Sequence, residues 1–89
     1  YAGYPGDMAA LRALAARHGL ALVEDAAHAP GARAPEGPVG SLGDLACFSF
    51  FSNKNLVTGE GGMTTTDDER LAARMRLLRA HGMTATSWD

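Results

Sequence analysis

The chain has 89 residues, enough for one small domain and too few for two. Apolar residues make up 46% and the formal net charge is −2, so the composition excludes a disordered chain and a strong field for nucleic acid or an anionic membrane. Seven of the eight basic residues are arginines spread along the chain, and Lys54 is the only lysine. No run of 18 apolar residues marks a membrane span, and no signal peptide is visible. Cys47 is the single cysteine; it excludes an internal disulfide and points to a reducing compartment, the cytoplasm. The chain opens at Tyr1 without an initiator methionine and stops in the loop-like "TATSWD", so we expect a piece of a longer protein.

Glycines and a proline come first, then a helix. Met8, Leu11, Leu14, Ala15 and His18 recur at spacings of three and four, which puts them on one face. Asp7 is placed to cap its start, and Gly19 to stop it because glycine adopts positive φ without strain. Leu20 to Val23 is a short apolar run suited to a strand buried on both faces, and it leads into Glu24 and Asp25. Ala29 to Asp44 holds three prolines and four glycines and reads as a loop. Leu45 to Phe51 reads as a second buried strand, with Cys47 packed inside it and Ser49 facing away from Phe48 and Phe50. The stretch "SNKNLVTGEGG" follows. Met63 to Thr66 reads as a third, β-branched strand. Asp67 or Asp68 caps a last helix whose apolar face is Leu71, Met75 and Leu78; Arg70, Arg74, Arg76 and Arg79 line the rest, and Gly82 ends it. This order suggests an α/β fold around a mainly parallel sheet, in which ligands bind beyond the carboxyl ends of the strands.

Three residues could carry chemistry. Asp25, at a strand end, is either a cap or a ligand group, and Ala26 and Ala27 leave room beside it for a flat molecule. Ser49 is either a buried hydroxyl bonded to backbone or a donor to a phosphate. Lys54 is either a solvated charge or an amine drawn toward a ligand by a loop that Gly59, Gly61 and Gly62 allow to turn sharply. Burial near positive charge frees such an amine as a nucleophile. An acid, a hydroxyl and an amine suit pyridoxal phosphate, which needs a lysine for its aldehyde, an ionised acid for its ring nitrogen and donors for its phosphate. His18 and His81 each precede a helix-ending glycine and read as structural. No spacing resembles a metal site, and "GEGG" lacks the lysine and hydroxyl of a nucleotide P-loop.

"VEDAAHAPGA", "GSLGDLACFSF" and "KNLVTGEGGM", in that order and supported by "YAGYPGDM" and "LRAHGM", resemble the DegT/DnrJ/StrS family of sugar aminotransferases, pyridoxal-phosphate enzymes of fold type I. The resemblance covers nearly the whole chain. It implies that residues 1–89 are an internal piece of the cofactor-binding large domain, without the preceding part and the C-terminal small domain. It implies that Lys54 bonds the cofactor aldehyde, Asp25 pairs with the ring nitrogen, Ala27 packs on the ring face and Ser49 binds the phosphate. His28 stands where many members carry glutamine, near the ring hydroxyl. Glu60 is structural. The implied reaction moves an amino group from glutamate or glutamine to a nucleotide-linked keto-sugar, for surface polysaccharide or antibiotic sugars, with a lean toward the sugar 4-position. The active site of such an enzyme lies in a homodimer interface, so the piece alone is expected to be inactive and unstable. Two alternatives are a pyridoxamine-dependent sugar dehydratase, whose branch replaces the lysine by histidine, and a non-catalytic binding module of the same shape.

Overall fold

The first helix, α1, runs over Met8–His18 in the computed structural model, which describes residues 2–83. Both predicted ends are in place. Asp7 Oδ1 accepts from the Ala10 amide at 2.9 Å, and Gly19 adopts the left-handed conformation (φ 61°) while Leu20 N–H closes on the Ala15 carbonyl at 2.9 Å. Of the predicted apolar stripe only Met8 is buried; Leu11 and Leu14 stay exposed.

Strand β1 is Val23–Asp25, later than the apolar run suggested. The cause is local. The Leu22 amide donates to the Asp44 carboxylate at 2.7 Å, and the Leu22 carbonyl accepts from Asp44 N–H at 2.8 Å, so the backbone there is tied to a loop before any ladder begins. Nor is the run buried on both faces: Leu20 is 64% and Val23 55% exposed. The proline- and glycine-rich stretch, expected as loop, contains a small antiparallel hairpin, β2 (Arg33–Ala34) with β3 (Gly37–Pro38), turning through Pro35 and Glu36.

Strand β4 (Leu45–Ser49) lies parallel to β1, with Val23 opposite Leu45, Glu24 opposite Ala46 and Asp25 opposite Cys47. It ends at Ser49 rather than Phe51. Beyond it the Phe50 amide donates to Gly61 and the Phe50 carbonyl accepts from Thr58, which closes the base of a loop. Strand β5 (Gly62–Thr65) then returns antiparallel to β4, giving the order β1-β4-β5. The sheet is therefore mixed, not wholly parallel, because residues 50–61 form a loop without the helix that a parallel crossover needs. Helix α2 (Glu69–Leu78) is capped by Asp68, whose Oδ1 accepts from the Arg70 and Leu71 amides at 2.7 and 3.2 Å. The helix ends at Leu78, ahead of the expected stop at Gly82, because Arg79 N–H and Ala80 N–H already close on Met75 and Leu77; Gly82, at φ 77°, follows and donates to the Leu77 carbonyl. Leu71 and Met75 are half-buried, but Leu78 is exposed. No described helix is long and apolar enough to cross a membrane.

Cross-strand partners share a face, so the register sorts the side chains. One face carries Glu24, Ala46, Phe48 and Thr65 and is covered by residues 39–43; Ala46 has no exposed surface, and Thr65 Oγ1 donates to the Gly40 carbonyl at 2.6 Å. Beside it Met8, Ala34 and Leu42 cluster with Leu22 as the core. The other face carries Val23, Asp25, Cys47, Ser49 and Thr64 and is open in this chain. Cys47, expected to be packed, is exposed for that reason.

Gly40 (φ 101°) lets the covering segment touch the sheet, since a Cβ there would sit 2.5 Å from Phe48 Cζ. Gly40→Ala in the complete protein is expected to cost about 1–3 kcal/mol, from the positive φ and from overpacking, as read by urea unfolding. Because no large side chain among the described residues is fully buried, the 89-residue chain by itself is expected to unfold gradually. A sharp, cooperative circular-dichroism transition of the isolated chain would contradict this.

Candidate functional site

The carboxyl ends of β1 and β4 lie side by side, because the two strands are parallel. Asp25 ends β1 and Ser49 ends β4, and the register puts both on the open face of the sheet, opposite Phe48. Asp25 is exposed, and its Oδ1 accepts from the Ala27 amide at 3.2 Å. That bond is a local Asx-type turn: it fixes the carboxylate and directs the chain away from the sheet. The turn continues through Ala26, which has no exposed surface and donates to the Cys47 carbonyl at 2.8 Å, and closes with Ala29 N–H on the Ala26 carbonyl at 2.9 Å. Ala27, half-buried, and His28, exposed, stand at its top.

His28 joins two cavities. One, of about 240 Å³, runs along β1 and is bounded by Tyr4, Met8, Val23, Glu24, Asp25 and His28 among others. The second, of about 250 Å³, is bounded by Ala2, His28, Asn53, Lys54 and Asn55. The structure thus sets Asp25 and His28 on one wall, and His28 and Lys54 on the next. Gly3 packs against the back of this turn, where a Cβ would meet the His28 carbonyl at 2.5 Å. Lys54 is half-buried, in a turn closed by its own amide on the Phe51 carbonyl at 2.9 Å. Ser49 is not among the residues that line either cavity; it is half-buried, and its Oγ accepts a long 3.4 Å bond from the Phe51 amide. Of the loop glycines after Lys54, Gly59 sits at φ 84°, and Thr58 Oγ1 donates to the Glu60 carbonyl at 2.8 Å.

Sequence reading passed over one group. Glu24, only 8% exposed, turns away from the open face into residues 40–43. Its Oε1 accepts from the amides of Leu42 and Gly43 at 2.7 and 2.8 Å, and its Oε2 from the amide of Gly40 at 2.9 Å. The signal for it lay in "GPVGSLGD", where Gly40 and Gly43 leave backbone amides unshielded. The remaining histidines stay apart from the cavities. His18 accepts from Arg17 Nε at 3.3 Å on the α1 terminus, and His81 precedes Gly82. The described residues contain no group of three or more His, Cys, Asp or Glu placed to hold a metal.

The profile of the DegT/DnrJ/EryC1/StrS aminotransferase family matches residues 1–89. The spore coat polysaccharide biosynthesis protein SpsC of Bacillus subtilis (strain 168) is 49% identical over 89 residues, all of this chain and 23% of the relative. The chain therefore spans about a quarter of that relative's length. Among solved structures, S. venezuelae DesV in complex with a ketimine intermediate is 49% identical with a TM-score of 0.88, covering 96% of this chain and 23% of DesV. DesI in the presence of its TDP-sugar product is 46% identical, also with a TM-score of 0.88, covering 93% of this chain and 21% of DesI. The α/β arrangement with its parallel β1–β4 pair is thus part of the aminotransferase fold that the sequence led us to expect, fold type I.

Proposed function

Because the chain belongs to the DegT/DnrJ/EryC1/StrS aminotransferase family, we propose that it is an internal part of the large domain of a sugar aminotransferase. The complete enzyme transfers an amino group from glutamate or glutamine to a nucleotide-linked keto-sugar, with pyridoxal phosphate as cofactor. One observation carries this reading: an acid, an imidazole and the only amine side chain of the sequence line two cavities that meet at His28. The DesI structure with its TDP-sugar product supports a nucleotide sugar as substrate.

The residues fit the cofactor by the chemistry of their donor set. Asp25 and Ser49 end neighbouring parallel strands on one open face, an acceptor for a ring N–H and a donor for a phosphate oxygen. When bound, the cofactor supplies an aldehyde carbon and an electron-accepting ring. Asp25, oriented by the Ala27 amide, holds a proton on the ring nitrogen. Ala27 offers a methyl group to the ring face, small enough to leave room for a flat molecule. His28 would face the ring hydroxyl, and Ser49 would donate to the phosphate. Lys54 Nζ would hold the resting cofactor and, once free, would take the proton from the donor's α-carbon and later deliver one to the sugar carbon that receives nitrogen. Lys54 also favours this reaction over the dehydratase alternative, and its company with Asp25 and Ser49 favours an enzyme over a binding module.

The complete protein is expected to be a homodimer, as the family resemblance implies. Sedimentation of the complete protein as a monomer would count against this. With pyridoxal phosphate it should show a visible absorption band that borohydride fixes onto Lys54. Lys54→Ala should lower transamination of nucleotide keto-sugars by about 10²–10⁴-fold or more; a variant with full activity overturns the assignment. The 89-residue chain alone is expected to show no turnover.

A further inference from the structure

We propose that Glu24 is a positioning residue for Asp25: held by three backbone amides, it determines which acid of the Glu24–Asp25 pair faces the cofactor side of the sheet. The inference rests on the function proposed above, because it concerns the acid that meets the ring nitrogen.

Among the described residues, strand β1 is fixed by β4, by the Leu22–Asp44 bonds at its start, by the Ala26 amide on the Cys47 carbonyl at its end, and between them by Glu24. The strand is three residues long and pairs only with β4 among the described strands. A slip of one residue exchanges the two faces of a strand. Among the described residues no apolar side chain of β1 is buried: Val23 lies on the open face and is 55% exposed. The two residues after it are both acids, so charge does not distinguish them either.

Reach does. The Glu24 carboxylate accepts from Gly40, Leu42 and Gly43 at 2.9, 2.7 and 2.8 Å, three charge-assisted bonds made to one side chain. Aspartate is shorter by one C–C bond, about 1.5 Å, and at the same backbone position its oxygens would fall short of all three donors. The donors are themselves fixed. Gly40 is pressed on Phe48, and Gly43 lies so near Leu22 that a Cβ would be 2.6 Å from the Leu22 carbonyl. Glutamate in this cradle and aspartate on the outer face is therefore the arrangement that satisfies both acids, with Asp25 turned toward Ala27 N–H on the side shared with Ser49.

The test uses the complete protein carrying Glu24→Gln or Glu24→Asp, with Asp44→Asn as a control that loosens the Leu22 tie in the same segment. Glutamine keeps the length but turns an NH₂ group against a backbone amide; aspartate keeps the charge but lacks the reach. In the cofactor-free protein, hydrogen exchange at the Leu42 and Gly43 amides should quicken about tenfold or more in both Glu24 variants. With pyridoxal phosphate, both should bind weakly, shift the pH titration of the visible band, and lose on the order of 10²-fold in activity. Asp44→Asn should leave that titration in place.

Glu24 variants that bind cofactor and titrate like the wild type overturn the assignment, and leave Glu24 a brace of the fold alone. An Asp44→Asn protein that shifts the titration equally far overturns it too. If neither Glu24 variant folds, the wild type decides. By linkage, cofactor binding must slow exchange at Leu42 and Gly43 more than at Leu22, and equal slowing overturns the proposal. A wild-type protein without the band overturns the function proposed above, and this assignment with it.

Discussion

A carboxylate taken out of water loses several kcal/mol of hydration, and only a set of well-placed donors restores it. Glu24 meets that condition with three backbone amides, all from residues 40–43. The constraint works in both directions. The strand must keep Glu24 inward, and the segment must keep its amides pointed at the strand. Once this segment is laid across the sheet, Gly40 comes down on Phe48, Thr65 finds the Gly40 carbonyl, and Leu42 joins Met8 and Ala34. Asp44, next in the chain, ties off Leu22 and opens β4. Side-chain-to-backbone bonds thus hold residues 40–44 to the sheet.

The two faces of the sheet divide the work. The inner face is closed by backbone, with small or flat groups such as Ala46 and Phe48 beneath it. The outer face holds polar groups at strand ends and an exposed cysteine thiol, and it is where the candidate ligand groups stand. With Glu24 held by its three amides, period-two alternation sets the next acid, Asp25, on the opposite face.

Local chemistry was legible in the sequence and longer-range ties were not. Both helix starts and the end of α1 could be read to within a residue because Asp7, Gly19 and Asp68 act on amides and carbonyls a few residues away, whereas α2 ends at Leu78, ahead of Gly82. The strands were harder. Leu20 to Leu22 has the composition of a strand, but Leu20 donates back to Ala15 and Leu22 bonds to Asp44, a partner 22 residues distant that no periodicity announces. The β2–β3 hairpin has two residues per strand, too short for a pattern. Glu24 drew no reading of its own because its donors are backbone amides, which a sequence shows only through the glycines that bare them. The ligand groups were legible mainly through resemblance. Residue chemistry alone singled out Asp25, Ser49 and Lys54, while Ala27 and His28 depend on a turn that composition does not reveal.

The antiparallel return of β5 has a consequence for the lysine. Since β1 and β4 run parallel, Asp25 and Ser49 end at the same edge of the sheet, and the turn carrying Ala27 and His28 rises from that edge as well. After Ser49 the chain comes straight back along β4, so residues 50–61 must reverse direction at this edge and nowhere else. A third parallel strand would have required the chain to travel back across the sheet before pairing, drawing Lys54 away from β1. The mixed topology keeps the loop short and at one end, with its base held by the Phe50 bonds to Thr58 and Gly61. The wall that Lys54 shares with His28 follows from strand direction as much as from the flexibility of the glycines around it.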